Sequence, residues 1–330
     1  RKVYDRQREK DKLADVASKV QGEFNKKGIK ELYSQLMSMS RKLQYQRLVE
    51  SGALGRLPFI QIDSLDKENA RVVFQGTEGA YGQAAMHQFF GDDVNCFHVR
   101  TFRDAMEAIE EGSADYAVLP IENSSAGPVN EMYDLLDEFE NYIVAETILP
   151  VVHTLSGLPG TKLSEIKRVY SKAEALMQTT RFLDDHSDWQ RISVVNTAIA
   201  AKKVLEDQDK AQAAVCSTYA AKLHGLEVLV DEINDEEDNS TRFIVVTNQK
   251  IFLKDASKIS IEFELPHESG SLYNILSHFI YNDLNMTKIE SRPVEGKQWE
   301  YRFFVDFDGN LEDAAVKNAI RGLREEARNL

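Results

Sequence analysis

Cysteine is scarce in this chain: two residues, Cys96 and Cys216, far apart in 330. That number excludes a disulfide framework, and no metal-ligand cluster accompanies either residue, so both are expected as reduced core thiols and no metal is expected. No apolar run approaches the roughly 20 residues that a membrane-spanning helix requires. Positive charge is also in deficit, with 40 Lys and Arg against 54 Asp and Glu, a formal charge of −14. A balance of that sign argues against nucleic acid or anionic membrane as a partner. The acidic residues are dispersed, and only Asp235-Glu236-Glu237-Asp238 forms a short run. The chain opens on Arg1 with no charged-then-apolar leader, so the expectation is a cytosolic protein whose true beginning is missing. No repeat at solenoid spacing is present.

What is there divides into regimes. Residues 1–50 are charged, contain no proline and read as helices. One begins near Asp5-Arg6-Gln7-Arg8-Glu9; a second, Leu32 to Gln46, carries Leu32, Leu36, Met39 and Leu43 on one face, a pattern suited to packing or to a coiled coil. A linker follows over 51–69, with Gly52, Gly55, Pro58 and Ser64 as breakers. Over 70–250, apolar strand-like runs such as Val72-Val73-Phe74, Tyr116 to Leu119 and Phe243 to Val246 alternate with helical patterns. That alternation is expected of a doubly wound α/β fold, and a change of pattern near Pro150 suggests two lobes with a cleft. At the end, Lys258 to Leu265 alternates as a half-buried strand and is stopped by Pro266; a helix follows on Leu272, Ile275, Leu276 and Phe279. Strands at Met286–Ser291 and Trp299–Phe307 and a helix from Leu311 complete a β-α-β-β-α module over 256–330.

In a doubly wound fold, ligands meet the residues just after each strand. After Phe74 comes Gln75-Gly76-Thr77-Glu78-Gly79-Ala80-Tyr81-Gly82, a glycine-rich turn that opens a helix. It lacks both the G-x-G-x-x-G spacing and a Walker lysine, which leaves an anion-holding turn suited to a carboxylate. After Leu119 comes Pro120-Ile121-Glu122-Asn123-Ser124-Ser125-Ala126-Gly127, and after the acidic run Asn239-Ser240-Thr241-Arg242-Phe243. Near the C-terminus, Gly270-Ser271-Leu272 opens a helix and Glu290-Ser291-Arg292-Pro293 ends a strand. Free N–H groups at the first can hold a carboxylate, and Arg292 or Glu290 can meet the other end of a zwitterion.

The motifs G-x-x-G-x-x-[SG], PIENS-x-x-G and N-x-TRF, in this order, resemble the prephenate dehydratase catalytic domain over Arg71 to Asn248. The stretch from Lys258 resembles a phenylalanine-binding ACT regulatory domain. The V-Y-D-x-x-R-E and S-x-x-x-Q patterns resemble part of the all-helical chorismate mutases, whose long first helix is not in this sequence. Together the chain resembles bifunctional chorismate mutase–prephenate dehydratases. The resemblance implies a two-lobed, periplasmic-binding-protein-like catalytic domain, a partial all-α mutase segment and a ferredoxin-like ACT domain.

For function, it implies conversion of prephenate to phenylpyruvate without a cofactor, feedback inhibition by L-phenylalanine, and chorismate as substrate of the intact mutase. It further implies a homodimer or dimer of dimers, and a mutase absent or very weak in these 330 residues. Thr241 is then the group at the leaving hydroxyl, Glu122 and Asn123 orient the ring end, and Arg242 with Phe243 fixes the loop. Gly76, Thr77, Gly79, Ala80, Tyr81, Ser124, Gln178 and Thr197 are implied substrate contacts. Gly270, Ser271, Leu272, Glu290, Ser291, Arg292 and Pro293 are the implied effector site, and Asp5, Arg8, Glu9, Ser40 and Gln44 the partial mutase site. One departure stands out: Lys172-Ala173-Glu174 replaces the family's usual His-Pro-Gln; if that Gln faces the substrate, Glu174 sets a negative charge near a dianion, unfavourable unless Lys172 compensates, and otherwise the swap is a neutral family variation. Two alternatives remain at this level, a non-catalytic phenylalanine sensor and an arogenate dehydratase.

Overall fold

The computed structural model describes residues 3–52, 57–265 and 267–330, so the linker glycine Gly55 and the strand-stopping Pro266 lie outside the described residues. The chain forms two compact units, one of Leu65–Gln249 and one of Arg1–Ser64 with Lys250–Leu330.

Leu65–Gln249 contains two mixed sheets. In the first lobe the strand order is Asn95–Val99, Arg71–Gln75, Tyr116–Asn123, Ser240–Thr247, Tyr142–Pro150, and Gly127–Pro128 pairs beside Tyr116–Asn123. The first three are parallel. Ser240–Thr247 returns antiparallel between Tyr116–Asn123 and Tyr142–Pro150. In the second lobe the order is Glu227–Val230, Thr154–Gly157, Gln212–Cys216, Arg168–Ser171, Gln190–Ser193. Every residue of Gln212–Cys216 is buried. Ala213 and Val215 pack toward Leu155, Val169 and Leu183, whereas Ala214 and Cys216 pack toward Ala200, Val204 and Ala220. A strand buried on both faces is what an α/β/α sandwich requires, and it explains why these runs read as continuous apolar stretches. Burial pushes the Cys216 thiol up to about 12, so it behaves as a core residue.

Two segments cross between the lobes, residues 151–153 and 231–239. They are stitched together: Val151 N–H donates to Asn239 O (2.8 Å), Ile233 N–H to His153 O (3.0 Å) and His153 N–H to the Asn234 side chain (2.7 Å). The Asn234 amide donates in return to Val151 O at 2.7 Å.

The second unit holds the C-terminal sheet, Lys258–Glu264, Tyr301–Asp308 and Met286–Pro293, antiparallel with Tyr301–Asp308 central. Helices Ser271–Tyr281 and Ala314–Glu326 cover one face over Phe263, Phe279, Val305, Phe307 and Leu323. The N-terminal helices Arg6–Ser18 and Glu23–Glu50 belong to this unit. Residues expected as linker contain a strand, Ile60–Ile62, which pairs parallel with Ile251–Leu253. Three residues of partly exposed pattern are too short for a periodicity to register in sequence. Among the described residues, no helix is long and apolar enough to cross a membrane.

Candidate active site

Thr241 lies in Ser240–Thr247, with Asn123 opposite on one side and Leu149 on the other, so both neighbouring strands hold its backbone. The Asn123 amide nitrogen stands 2.9 Å from Thr241 Oγ1, 2.8 Å from Asn239 Oδ1 and 3.1 Å from Ser240 O. Its Oδ1 accepts from the N–H groups of Ser125 and Ala126 at 3.0 and 2.8 Å, which fixes the amide's orientation. A hydroxyl that accepts from an amide has its own proton to give elsewhere, and accepting one bond strengthens the bond it donates. The hydroxyl of half-buried Thr241 is therefore a prepared donor.

The network continues through both lobes. Asn239 Nδ2 donates to Gln178 Oε1 at 3.2 Å, and His153 Nε2 bonds the same oxygen at 2.9 Å. The Gln178 oxygen can only accept, so Nε2 carries the imidazole proton and Nδ1 is left to accept from Tyr81 O–H, 3.1 Å away. Tyr81 O–H also lies 3.1 Å from Val152 O. Burial keeps His153 neutral by lowering its pKa, against the Gln178 bond and the charge of Glu174, both of which raise it. Burial also raises the Tyr81 phenol, so it stays protonated. Sequence reasoning missed His153 and Asn239. Asn239 was visible as the first residue of the N-x-TRF motif, whereas a lone histidine in an apolar crossing carried no signal.

Strand alternation puts Arg242 on the face opposite Thr241. There Arg242 Nε meets Glu122 at 3.0 Å and a second guanidinium nitrogen meets Glu146 at 3.0 Å. Glu122 and Arg242 are thus brought to each other rather than to the Thr241 hydroxyl, and Phe243 is buried. Ser124 Oγ donates to Asp238 O and accepts from Ser240 N–H, both at 2.9 Å, which ties down the loop before Thr241.

The glycine-rich turn ends on the helix Tyr81–Phe90, whose cap Ala80 supplies no side-chain acceptor and so leaves first-turn N–H groups for an anion. Gly79 has φ +86°, and a Cβ there would stand 3.4 Å from both Ala198 Cβ and Leu223 Cδ2. The absent side chain lets this turn of the first lobe reach the start of the second lobe's helix Thr197–Asp207. Thr77 Oγ1 is buried with no hydrogen-bond partner among the described residues, which suits a group that meets a ligand. Lys172 Nζ and Glu174 Oε2 pair at 2.8 Å.

In the other unit, Gly270 adopts φ +83° at the start of Ser271–Tyr281 with no side-chain cap. A cavity of about 350 Å³ beside it is lined by residues that include Glu268, Ser271, Leu272, Trp299, Tyr301 and Phe303. Glu290–Pro293 are not among its lining residues and lie along the strand next to Tyr301–Phe303. Asp5 caps the first helix through Arg8 N–H (3.1 Å), and Gln44 bonds Ser40 at 3.2 Å on an exposed face. Glu9 turns elsewhere, to buried Arg41. Arg41 also meets Glu326 (3.1 Å), which meets His278 at 3.2 Å. Lys42 Nζ donates to Ser277 Oγ at 2.7 Å. Arg6 pairs with Glu268, and Gln35 bonds Tyr273. The two N-terminal helices therefore rest on the helices Ser271–Tyr281 and Ala314–Glu326. Among the described residues no His, Cys, Asp and Glu cluster is arranged to hold a metal ion.

His153 supplies a pH prediction. Its pKa is lowered from about 6.5, so the folded state binds fewer protons than the unfolded state below that pH. The stability it contributes is complete above about 6.5 and is lost as pH falls through the lowered value. Urea midpoints of wild type should fall over that range, and those of His153→Gln should fall less steeply. Parallel curves would mean that His153 titrates as an exposed imidazole does.

Known proteins are similar to this chain over most of its length. A family model described as prephenate dehydratase matches residues 72–251. The bifunctional chorismate mutase/prephenate dehydratase of Escherichia coli (strain K12) is 32% identical over 293 residues, covering 87% of this chain and 76% of that protein. Arogenate dehydratase/prephenate dehydratase 1, chloroplastic, of Arabidopsis thaliana is 36% identical over 278 residues, covering 79% and 70%. Among solved structures, prephenate dehydratase in complex with L-Phe from Arthrobacter aurescens matches with a TM-score of 0.72 at 31% identity, covering 78% of this chain and 86% of that one.

Proposed function

This chain belongs to the prephenate dehydratase family, and we propose that its two-lobed unit converts prephenate to phenylpyruvate, carbon dioxide and water. The observation that carries the reading is the Thr241 hydroxyl, held by Asn123 with its proton free, in the same unit as a glycine turn that opens an uncapped helix. In this reaction the ring carboxylate leaves as carbon dioxide. The electron pair of the broken carbon–carbon bond moves through the diene and expels the ring hydroxyl, and the product ring is aromatic. The driving force lies in the substrate, so the protein's share is to hold two carboxylates and to stabilise a departing hydroxide. Thr241 O–H donates to that oxygen. The Tyr81 helix N-terminus, Thr77 and Thr197 hold carboxylates, and Gln178 and Asn239 keep Asn123 in register. Ser124, with its hydroxyl committed to the loop, acts through that loop, and Glu122 and Arg242 act as a brace behind it.

The same reading makes residues 1–50 a partial chorismate mutase segment, 70–250 the dehydratase domain and 256–330 a regulatory domain that binds L-phenylalanine, in a cytosolic homodimer or dimer of dimers. The effector's carboxylate would meet the Gly270-Ser271-Leu272 turn, and Glu290 to Pro293 would complete the site. Support comes from the uncapped, left-handed Gly270 and the adjoining cavity.

The test is initial-rate phenylpyruvate formation from prephenate, with and without millimolar L-phenylalanine, on wild type, Gly270→Val and Arg292→Ala. Wild type should turn over and be suppressed by the amino acid. Both variants should turn over with inhibition weakened about tenfold or more, since a side chain at φ +83° is strained and loss of a charged partner is of that order. Turnover lost with inhibition intact would reverse the assignment. No turnover in wild type, with phenylalanine still bound, would make the chain a sensor.

A further inference from the structure

The hydrogen bonds beside Thr241 run in one direction, and two backbone N–H groups set it. Ser125 and Ala126 N–H only donate, so Asn123 meets them with its oxygen and turns its amide nitrogen to Asn239. Asn239 answers with its oxygen, which leaves its own amide nitrogen to face Gln178. Gln178 therefore presents Oε1, and the His153 Nε2 that stands 2.9 Å from the same atom is a second donor to it. Reversing Asn123, Asn239 or Gln178 sets donor against donor, so the Gln178 amide has one permitted orientation. With Oε1 held from two sides, its NH2 group is turned away from both. Among the described residues Gln178 Nε2 makes no hydrogen bond, and the side chain is only half-buried. The imidazole that holds this amide is itself fixed at three points. Its backbone N–H donates to the Asn234 side chain at 2.7 Å, Nδ1 accepts from Tyr81 O–H at 3.1 Å, and Nε2 meets Gln178.

Prephenate offers an NH2 donor two carboxylates, of which the reaction expels one. A donor to the departing carboxylate stabilises a charge that must be lost. A donor to the retained side-chain carboxylate holds the substrate at no cost to the chemical step. We propose that Gln178 Nε2 donates to the retained carboxylate, and that His153 is the positioning residue that keeps the amide turned that way. The inference rests on the dehydratase reading above.

The experiment measures initial rates of phenylpyruvate formation over a range of prephenate concentrations. It uses wild type, Gln178→Glu, His153→Asn, His153→Gln and the double variant Gln178→Glu/His153→Asn. Glutamate still offers an oxygen to both His153 and Asn239, so the brace beside Thr241 survives while a second oxygen replaces the donor. KM should rise about tenfold or more, the scale of a hydrogen bond lost from a charged group, with kcat within about threefold. In His153→Asn the shorter amide keeps a partner for Tyr81 but does not reach Gln178, and KM should rise about fivefold as the Gln178 amide turns freely. In His153→Gln an amide nitrogen can stand where Nε2 stood, and most of that rise should be recovered. The double variant should match Gln178→Glu, because a carboxylate with two like oxygens leaves His153 nothing to orient. A merely structural role predicts near-wild-type KM in Gln178→Glu, which would overturn the proposal. So would a fall in kcat at constant KM in His153→Asn, no recovery in His153→Gln, or additive losses in the double variant. Wild type that converts no prephenate overturns the dehydratase reading itself.

Discussion

Thr241→Val is expected to lower kcat for phenylpyruvate formation by about 10²–10³-fold, the scale on which loss of one preorganised donor to a developing oxyanion is felt. The substitution is chosen so that folding does not share the blame. Valine has nearly the shape of threonine and favours strand conformation. The position is held on both sides by ladder pairing to Asn123 and Leu149. Asn123 keeps Asn239 Oδ1 and Ser240 O as acceptors, so no buried donor is orphaned. KM should therefore change far less than kcat, because the hydroxyl serves the leaving group and not the carboxylates. Asn123→Leu should approach the same loss, since the Thr241 oxygen then has no neighbour to orient it. A Thr241→Val enzyme within fivefold of wild type would mean that another donor, or water, protects the departing hydroxide.

Gly322→Ala is expected to destabilise the unit formed by the N-terminal and C-terminal segments by about 2–3 kcal/mol, although helix propensity alone predicts a gain of about 1 kcal/mol. Gly322 lies inside the helix Ala314–Glu326, where a Cβ would fall 2.3 Å from two atoms of the His278 ring. His278 has little room to yield: it is 1% exposed, lies 3.2 Å from Glu326 and has the Tyr45 ring 6.5 Å from its own. One added methyl group must push apart the helices Ser271–Tyr281 and Ala314–Glu326, the first of which begins at the Gly270 turn. Chemical denaturation of wild type, Gly322→Ala, His278→Ala and the double variant decides the matter. If crowding is the cause, the added methyl should be far less harmful once His278 is truncated. A stabilised Gly322→Ala would show that the two helices do not approach this closely.

That cluster also explains the most informative mismatch in the molecule. Along Glu23–Glu50 the apolar residues Leu32, Leu36, Met39 and Leu43 repeat on one face, and hydrophobic pattern alone would bury them. They are exposed, by 62%, 59%, 55% and 43%, and the buried face carries Ser38, Arg41, Lys42 and Tyr45. A buried arginine is tolerated because Glu9 and Glu326 pair with it, and a buried lysine because Ser277 accepts from it. Those partners lie as many as 285 residues away, so nothing local in the helix announces them.

The unit Leu65–Gln249 was more legible. Thr241, Asn123 and Gly79 each stand in a short motif at a local strand end or turn, Gly79 as a residue free of Cβ at positive φ, whereas the meeting of Asn123 with Thr241 spans 118 residues. The regular elements were likewise set by periodicity, two in the strands and 3.6 in the helices, together with their capping residues. What the tertiary structure alone decided is which polar groups meet. His153, Gln178 and Asn239 come from three separate segments and form one hydrogen-bonded line because two crossings bring both lobes to it. Periodicity is a property of neighbours along the chain, and it determines secondary structure and which face is apolar. A buried charge or a shared amide is satisfied by groups distant in sequence, so only the folded arrangement determines its partner.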